Sequence, residues 1–218
     1  MCFNRNSLRT VFAAALILPC ISGALAVDEP NANYSSLVVS YRSITFANPV
    51  CIGTECHSGV AGPSAVFSHQ LIPNFALGIS GSAMRSDGNT STLKSSFNSV
   101  FMEFVAGIGH SVDVGASVAA LRTSVESCST NPTACTATDD TGRDLGVFTT
   151  FFLNDASSIS LSYDSLAYQN ASDQSVIGLS LVSILAAHHR LSFSADQIQN
   201  AGGKAISGGY GFGYSYLF

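Results

Sequence analysis

The chain ends on the nine residues YGFGYSYLF, Tyr210 to Phe218, with an aromatic at nearly every second position. Tyr210, Phe212, Tyr214, Tyr216 and Phe218 fall on one side, and Gly211, Gly213, Ser215 and Leu217 on the other. A period of two belongs to a β-strand, whose side chains alternate between the two faces of a sheet. Chain ends are ordinarily frayed, so a terminus of this kind has to be held by other strands. A soluble sheet would bury the aromatics and turn charge outward. Here the opposite face carries neither charge nor bulk, which points the aromatics at lipid.

Composition carries that reading over the rest of the chain. Only 11% of the residues are charged and 46% are hydrophobic, where soluble domains carry about a quarter charged. Beyond the leader, nothing reaches the roughly 18 consecutive apolar residues of a spanning helix. Apolar content without apolar runs is what a transmembrane β-barrel shows, because each strand alternates oily and polar residues.

The leader is a separate unit. Arg5 and Arg9 precede the apolar run VFAAALILPCISG, and Ala24-Leu25-Ala26 precedes Val27. This reads as a secretory signal peptide, residues 1–26, cleaved after Ala26. The domain that follows is 27–218. Cleavage takes away two basic residues and no acid, so the net charge moves from −5 to −7. With no basic run or basic aromatic motif, nucleic acid is not an expected partner.

Ten alternating segments follow: 35–46, 62–70, 75–85, 93–106, 113–125, 143–153, 158–168, 175–185, 190–198 and 210–218. Eight is the alternative count, if the second and fourth are not strands. The links after the even-numbered segments are tight. The first and fifth are followed by long polar loops, ANPVCIGTECHSG and ESCSTNPTACTATDDTG. Short turns on one side and longer loops on the other are the habit of outer-membrane barrels, with the loops outside.

Each long loop holds a cysteine pair, Cys51 and Cys56 in the first, Cys128 and Cys135 in the second. Export favours disulfides. Four cysteines allow three connectivities, of which the two local pairs are the simplest and a link between loops the competitor. A zinc site on Cys51, Cys56 and His57 lacks a fourth ligand.

The parity that points Leu37, Met102, Leu161, Leu191 and Phe193 at lipid turns Arg42, Glu103, Asp164, Arg190 and Asp196 into the lumen. For Glu103 the phase is ambiguous, and the inward choice rests on the cost of a lipid-facing charge. Charges inside a narrow barrel must be paired or hydrated, so an internal ion-pair network is expected. The stretch HHRLSFS, His188 to Ser194, lies beside a turn on the inner side of the membrane and reads as interfacial histidines. No catalytic set, cofactor site or metal site is expected.

The alternating terminal aromatics ending on Phe218 resemble the carboxyl-terminal signature of bacterial outer-membrane β-barrel proteins, the small OmpA-, OmpX- and OmpW-like barrels being the general comparison. The resemblance implies a single closed antiparallel barrel in the outer membrane. It also implies that Tyr210, Phe212, Tyr214, Tyr216 and Phe218 are read by the barrel-assembly machinery, and that the last strand closes against the first. Outer-membrane lipid is the expected surround, and a monomer the expected state. The functional expectation is a non-enzymatic barrel acting structurally or through its disulfide-bearing external loops, with a narrow pore for ions or small solutes as the alternative.

Overall fold

The computed structural model describes residues 30–130, 133–186 and 188–218; the leader and its cleavage point lie outside the described residues. Ten strands follow one another: β1 (Ser36–Ile52), β2 (Glu55–Ile72), β3 (Phe75–Asp87), β4 (Ser91–Ile108), β5 (Val112–Thr130), β6 (Thr133–Asn154), β7 (Ser157–Tyr168), β8 (Gln174–Ala186), β9 (His189–Asn200) and β10 (Ala205–Leu217). Each pairs antiparallel with its neighbours in sequence, and β1 pairs with β10 from Ser36↔Leu217 to Phe46↔Ser207. The sheet is a closed all-β barrel of ten strands, and the second and fourth segments are both genuine staves.

Through the lower part of the wall, the alternation in sequence is the alternation in space. Leu37, Val39, Ile79, Val100, Leu161 and Phe212 stand exposed on the outside. Small polar residues turn inward and bond across strands, Ser40 to Ser64 at 2.6 Å and Ser80 to Ser99 at 2.8 Å. Such an outer belt is stable only against lipid, while the backbone polar groups are satisfied strand to strand. The small face of β10 has a steric reason. A Cβ on Gly213 would lie 2.7 Å from Ser192 Oγ and 3.0 Å from Ser40 Cβ, so its neighbours on both sides already occupy the space.

The expected long loops are corrected by the structure. The second of them is strand almost throughout, because β5 and β6 pair without a break from Val112↔Phe151 to Thr130↔Thr133. The first is also a hairpin; after an irregularity between Thr45 and Val50, its register ends at Cys51↔Cys56 and Ile52↔Glu55. Above the lipid both faces of a strand are wetted, so no oily face marks the strand in the sequence, although Thr, Val and Cys remain compatible with it. The wall is consequently uneven. β5 and β6 have 19 and 22 residues, whereas β7 to β10 have 12 or 13.

Candidate functional site

A chamber of about 460 Å³ occupies the middle of the lumen. Its wall includes Arg42, Glu103, Asp164 and Asp196, four of the five charges that the sequence places inside, with Tyr34 and Phe148 among serines and threonines. Arg42 and Asp196 form an ion pair, the carboxylate side being only 11% exposed. The structure does not bring the other three into that pair: Glu103, Asp164 and Arg190 have no ion-pair partner among the described residues. The expected network thus reduces to one bridge. Asp164 leans instead over Gly146, where a Cβ would lie 2.3 Å from its Oδ1 and 2.4 Å from Ser117 Oγ. Asp144 is a further inward carboxylate, and its Oδ1 is buried without a hydrogen bond among the described residues. Parity with the outward Leu145 and Val147 was the available signal for it.

Below the chamber, the residues preceding β1 cross the barrel mouth. Asp113, fully buried, accepts hydrogen bonds from the Asn31 amide and side chain, both 2.8 Å, from the Ala32 amide at 3.3 Å and from the Tyr34 hydroxyl at 2.9 Å. Tyr34 also donates its amide to Gln70 Oε1 at 3.2 Å, and its ring tilts against Phe148 with centroids 6.3 Å apart. This strap was not legible in the sequence, since Tyr34 and Asp113 lie 79 residues apart and no local pattern joins them. On the same rim, His188 Nδ1 meets the Leu217 carbonyl at 3.1 Å, and His189 Nδ1 meets the Tyr214 hydroxyl.

At the outer end, disulfides join Cys51 to Cys56 and Cys128 to Cys135, each across one hairpin. The β1–β2 hairpin is fastened to the β3–β4 turn. Buried His57 places Nδ1 2.9 Å from Ser86 Oγ and Nε2 2.9 Å from Ser91 Oγ, so its ring serves as a clasp between strands. Glu55 accepts from Ser91 Oγ at 2.6 Å and from the amides of Asn89 and Thr90 at 2.6 and 2.9 Å. These donors, the Ser91 hydroxyl foremost, hold the Glu55 carboxyl at about 2. Beneath them Val60, Met84 and Leu93 pack with Ile44, Phe46 and Ile52. Asp140 plays a similar part for the β7–β8 connection. Burial opposes its ionisation, but the amides of Ala171, Asn170 and Thr141 outweigh that and hold it below the usual range.

No protein-family model matches the sequence, and no curated protein matches it. Solved structures do match in shape. The NanC porin has a TM-score of 0.52 at 8% identity, covering 84% of this chain and 100% of its own. The fold is that of a bacterial outer-membrane β-barrel. Ail, the attachment invasion locus protein of Yersinia pestis, matches at a TM-score of 0.44 and 12% identity, over 84% of this chain and 95% of its own. The outer membrane protease OmpT of Escherichia coli matches at 0.42 and 7%, over 84% and 94%. The closed wall and its apolar belt place this outer-membrane barrel in lipid; shape alone does not choose among the functions that such a fold carries.

Proposed function

We propose that this outer-membrane barrel is a non-enzymatic, non-conducting scaffold that presents its raised, disulfide-stapled hairpins to the cell exterior as an interaction surface. The uneven wall carries the reading. The length beyond the membrane is invested in β1–β2 and β4–β6, and both hairpins are cross-linked near their tips. The strap on Asp113 supports it from the other end, since it lies across the inner mouth of the lumen. As in the class it resembles, the last strand serves as the assembly signal, and the protein works as a monomer.

The test has two arms. Cells displaying the protein are compared with cells displaying a variant whose β1–β2 and β5–β6 tips are shortened, for adhesion to immobilised extracellular proteins and glycans. Barrel assembly is checked in both by the heat-dependent shift in gel mobility. Planar-bilayer recordings of the intact barrel should be near silent. Equal adhesion of both forms, together with steady conductance, overturns the proposal in favour of a narrow pore. One observation favours that second reading: the chamber holds Glu103 and Asp164 without a cationic partner among the described residues, a lining suited to cations.

A further inference from the structure

The outer surface of β3 to β6 can be followed as a grid of outward residues. One row runs Ile79, Val100, Ala120, Arg143, and the row above it Gly81, Asn98, Arg122, Thr141. Higher still come Ala83, Ser96, Ser124 and Asp139, then Arg85, Lys94, Glu126 and Ala137. Arg143 therefore shares a row with Ile79 and Val100, which are 56% and 62% exposed on the lipid side.

Its height follows from the strand. Leu153 begins the outward apolar series on β6, and Arg143 stands ten residues above it. At ~3.3 Å per residue and a tilt of ~40°, that is ~25 Å along the membrane normal, the height of the apolar belt itself. Arg143 thus stands where hydrocarbon gives way to headgroups on the outer side, flanked across both ladders by Ala120 and Ala167, which cannot partner it.

The other outward cations of this face each have a carboxylate: Arg85 with Asp87, Lys94 with Glu126, Arg122 with Asp139. Arg143 has none among the described residues. The guanidinium at this depth makes no ion pair to the protein among the described residues, and of the groups at the headgroup level phosphate matches its five donors best, with two parallel bonds. Arg122, one row up on the next strand, contacts Asp139 at 3.1 Å through one nitrogen and is 65% exposed, so most of its donors also face outward. Beside it, Ser96, Asn98, Ser124 and Asp139 line a polar hollow of about 310 Å³, a set of donors and acceptors suited to sugar hydroxyls.

We propose that Arg143 and Arg122, with this hollow, bind an outer-leaflet lipid that carries phosphate on a saccharide headgroup. The phosphate bridges the two guanidinium groups, the sugar enters the hollow, and the acyl chains lie down the apolar belt past Leu145 and Val147. The lipid is recognised from the side of the barrel and leaves the hairpins free.

The test places the full mature barrel in phosphatidylcholine nanodiscs containing either lipid A with both phosphates or the same lipid with its phosphates removed. Native mass spectrometry reads the lipid retained, and heat-shifted gel mobility reports folding of every variant. The phosphorylated lipid should be retained, and Arg122→Gln with Arg143→Gln should lower retention at least about tenfold. Arg143→Lys should fall between, and Arg85→Gln with Lys94→Gln, on β3 and β4 away from the hollow and each already paired with a carboxylate, should retain the lipid as the native chain does. Equal retention of the phosphate-free lipid overturns the proposal, as does unchanged retention by the double variant. So does complete displacement by inorganic phosphate at matched concentration, which would make the site one for the free anion.

Discussion

Replacing Asp113 with alanine should open the inner mouth of the barrel without unfolding it. The carboxylate takes four hydrogen bonds from residues 31–34. At about 1–2 kcal/mol each, they are worth about 4–8 kcal/mol. Holding four residues in one conformation costs a similar amount, about 1–2 kcal/mol per residue. The two nearly cancel, so the strap is closed by a small margin and cannot survive losing its main acceptor. The wall is different: Val39↔Tyr214 and the rest of the β1–β10 seam do not involve Asp113. Chymotrypsin applied to the folded protein in detergent should cut after Tyr34 at least about tenfold faster in Asp113→Ala than in the native chain. Asp113→Asn, keeping one acceptor oxygen, should fall between. Heat-shifted gel mobility should be the same in all three. Equal protection of Tyr34 in Asp113→Ala would refute the reasoning, and so would loss of the barrel itself.

Three further outcomes are expected. Arg42→Met leaves Asp196, with its side chain 11% exposed, without a counter-charge, although Arg42 itself is 35% exposed; thermal unfolding should show a loss of about 1–3 kcal/mol, below the range for a fully buried pair, and an unchanged midpoint would mean that water already solvates the carboxylate. Gly213→Val forces a side chain between Ser192 and Ser40 and should cost about 1–3 kcal/mol of overpacking, seen as a reduced folded fraction on refolding into detergent. For Glu55, whose carboxyl is held at about 2 against an ordinary 4.5, the folded value lies below the unfolded one. Its contribution is therefore full above about pH 4.5 and lost as pH falls through about 2, so the amide resonances of Asn89 and Thr90 should titrate near pH 2; a midpoint near 4.5 would refute the link.

What could be read from the sequence was whatever lipid enforces. Leu37, Val39 and Tyr41 alternate because one face of β1 must be oily, and the same parity turned Arg42 and Glu103 inward. Once the wall rises clear of the membrane, that constraint ends. Residues 47–52 and 133–141 are strand, yet their polar two-faced sequence has the look of loop. The lumen was legible by face and not by partner: parity placed Arg190 inside, but which carboxylate an arginine reaches depends on strand stagger, and stagger gave Asp196 to Arg42. Asp113 carried no signal, since its partners precede the first strand.

A barrel is the sheet that has no edge, and this one regains an edge where its wall becomes uneven. The β6–β7 ladder begins at Gly142↔Tyr168, so among the described residues β6 from Thr133 to Asp140 has β5 on one side and no strand on the other. Its outward backbone groups are the kind that a second sheet can zip onto. Two charges stand at the foot of this stretch: Asp139, turned outward beside Arg122, and Asp140, folded back onto the amides of residues 170 and 171. They ward the lower end against unwanted strand addition, and the Cys128–Cys135 bridge ties the upper end to its own partner. The price of reaching beyond the membrane is an exposed selvage, and the residues that guard it also decide how far a neighbouring chain can be stitched on.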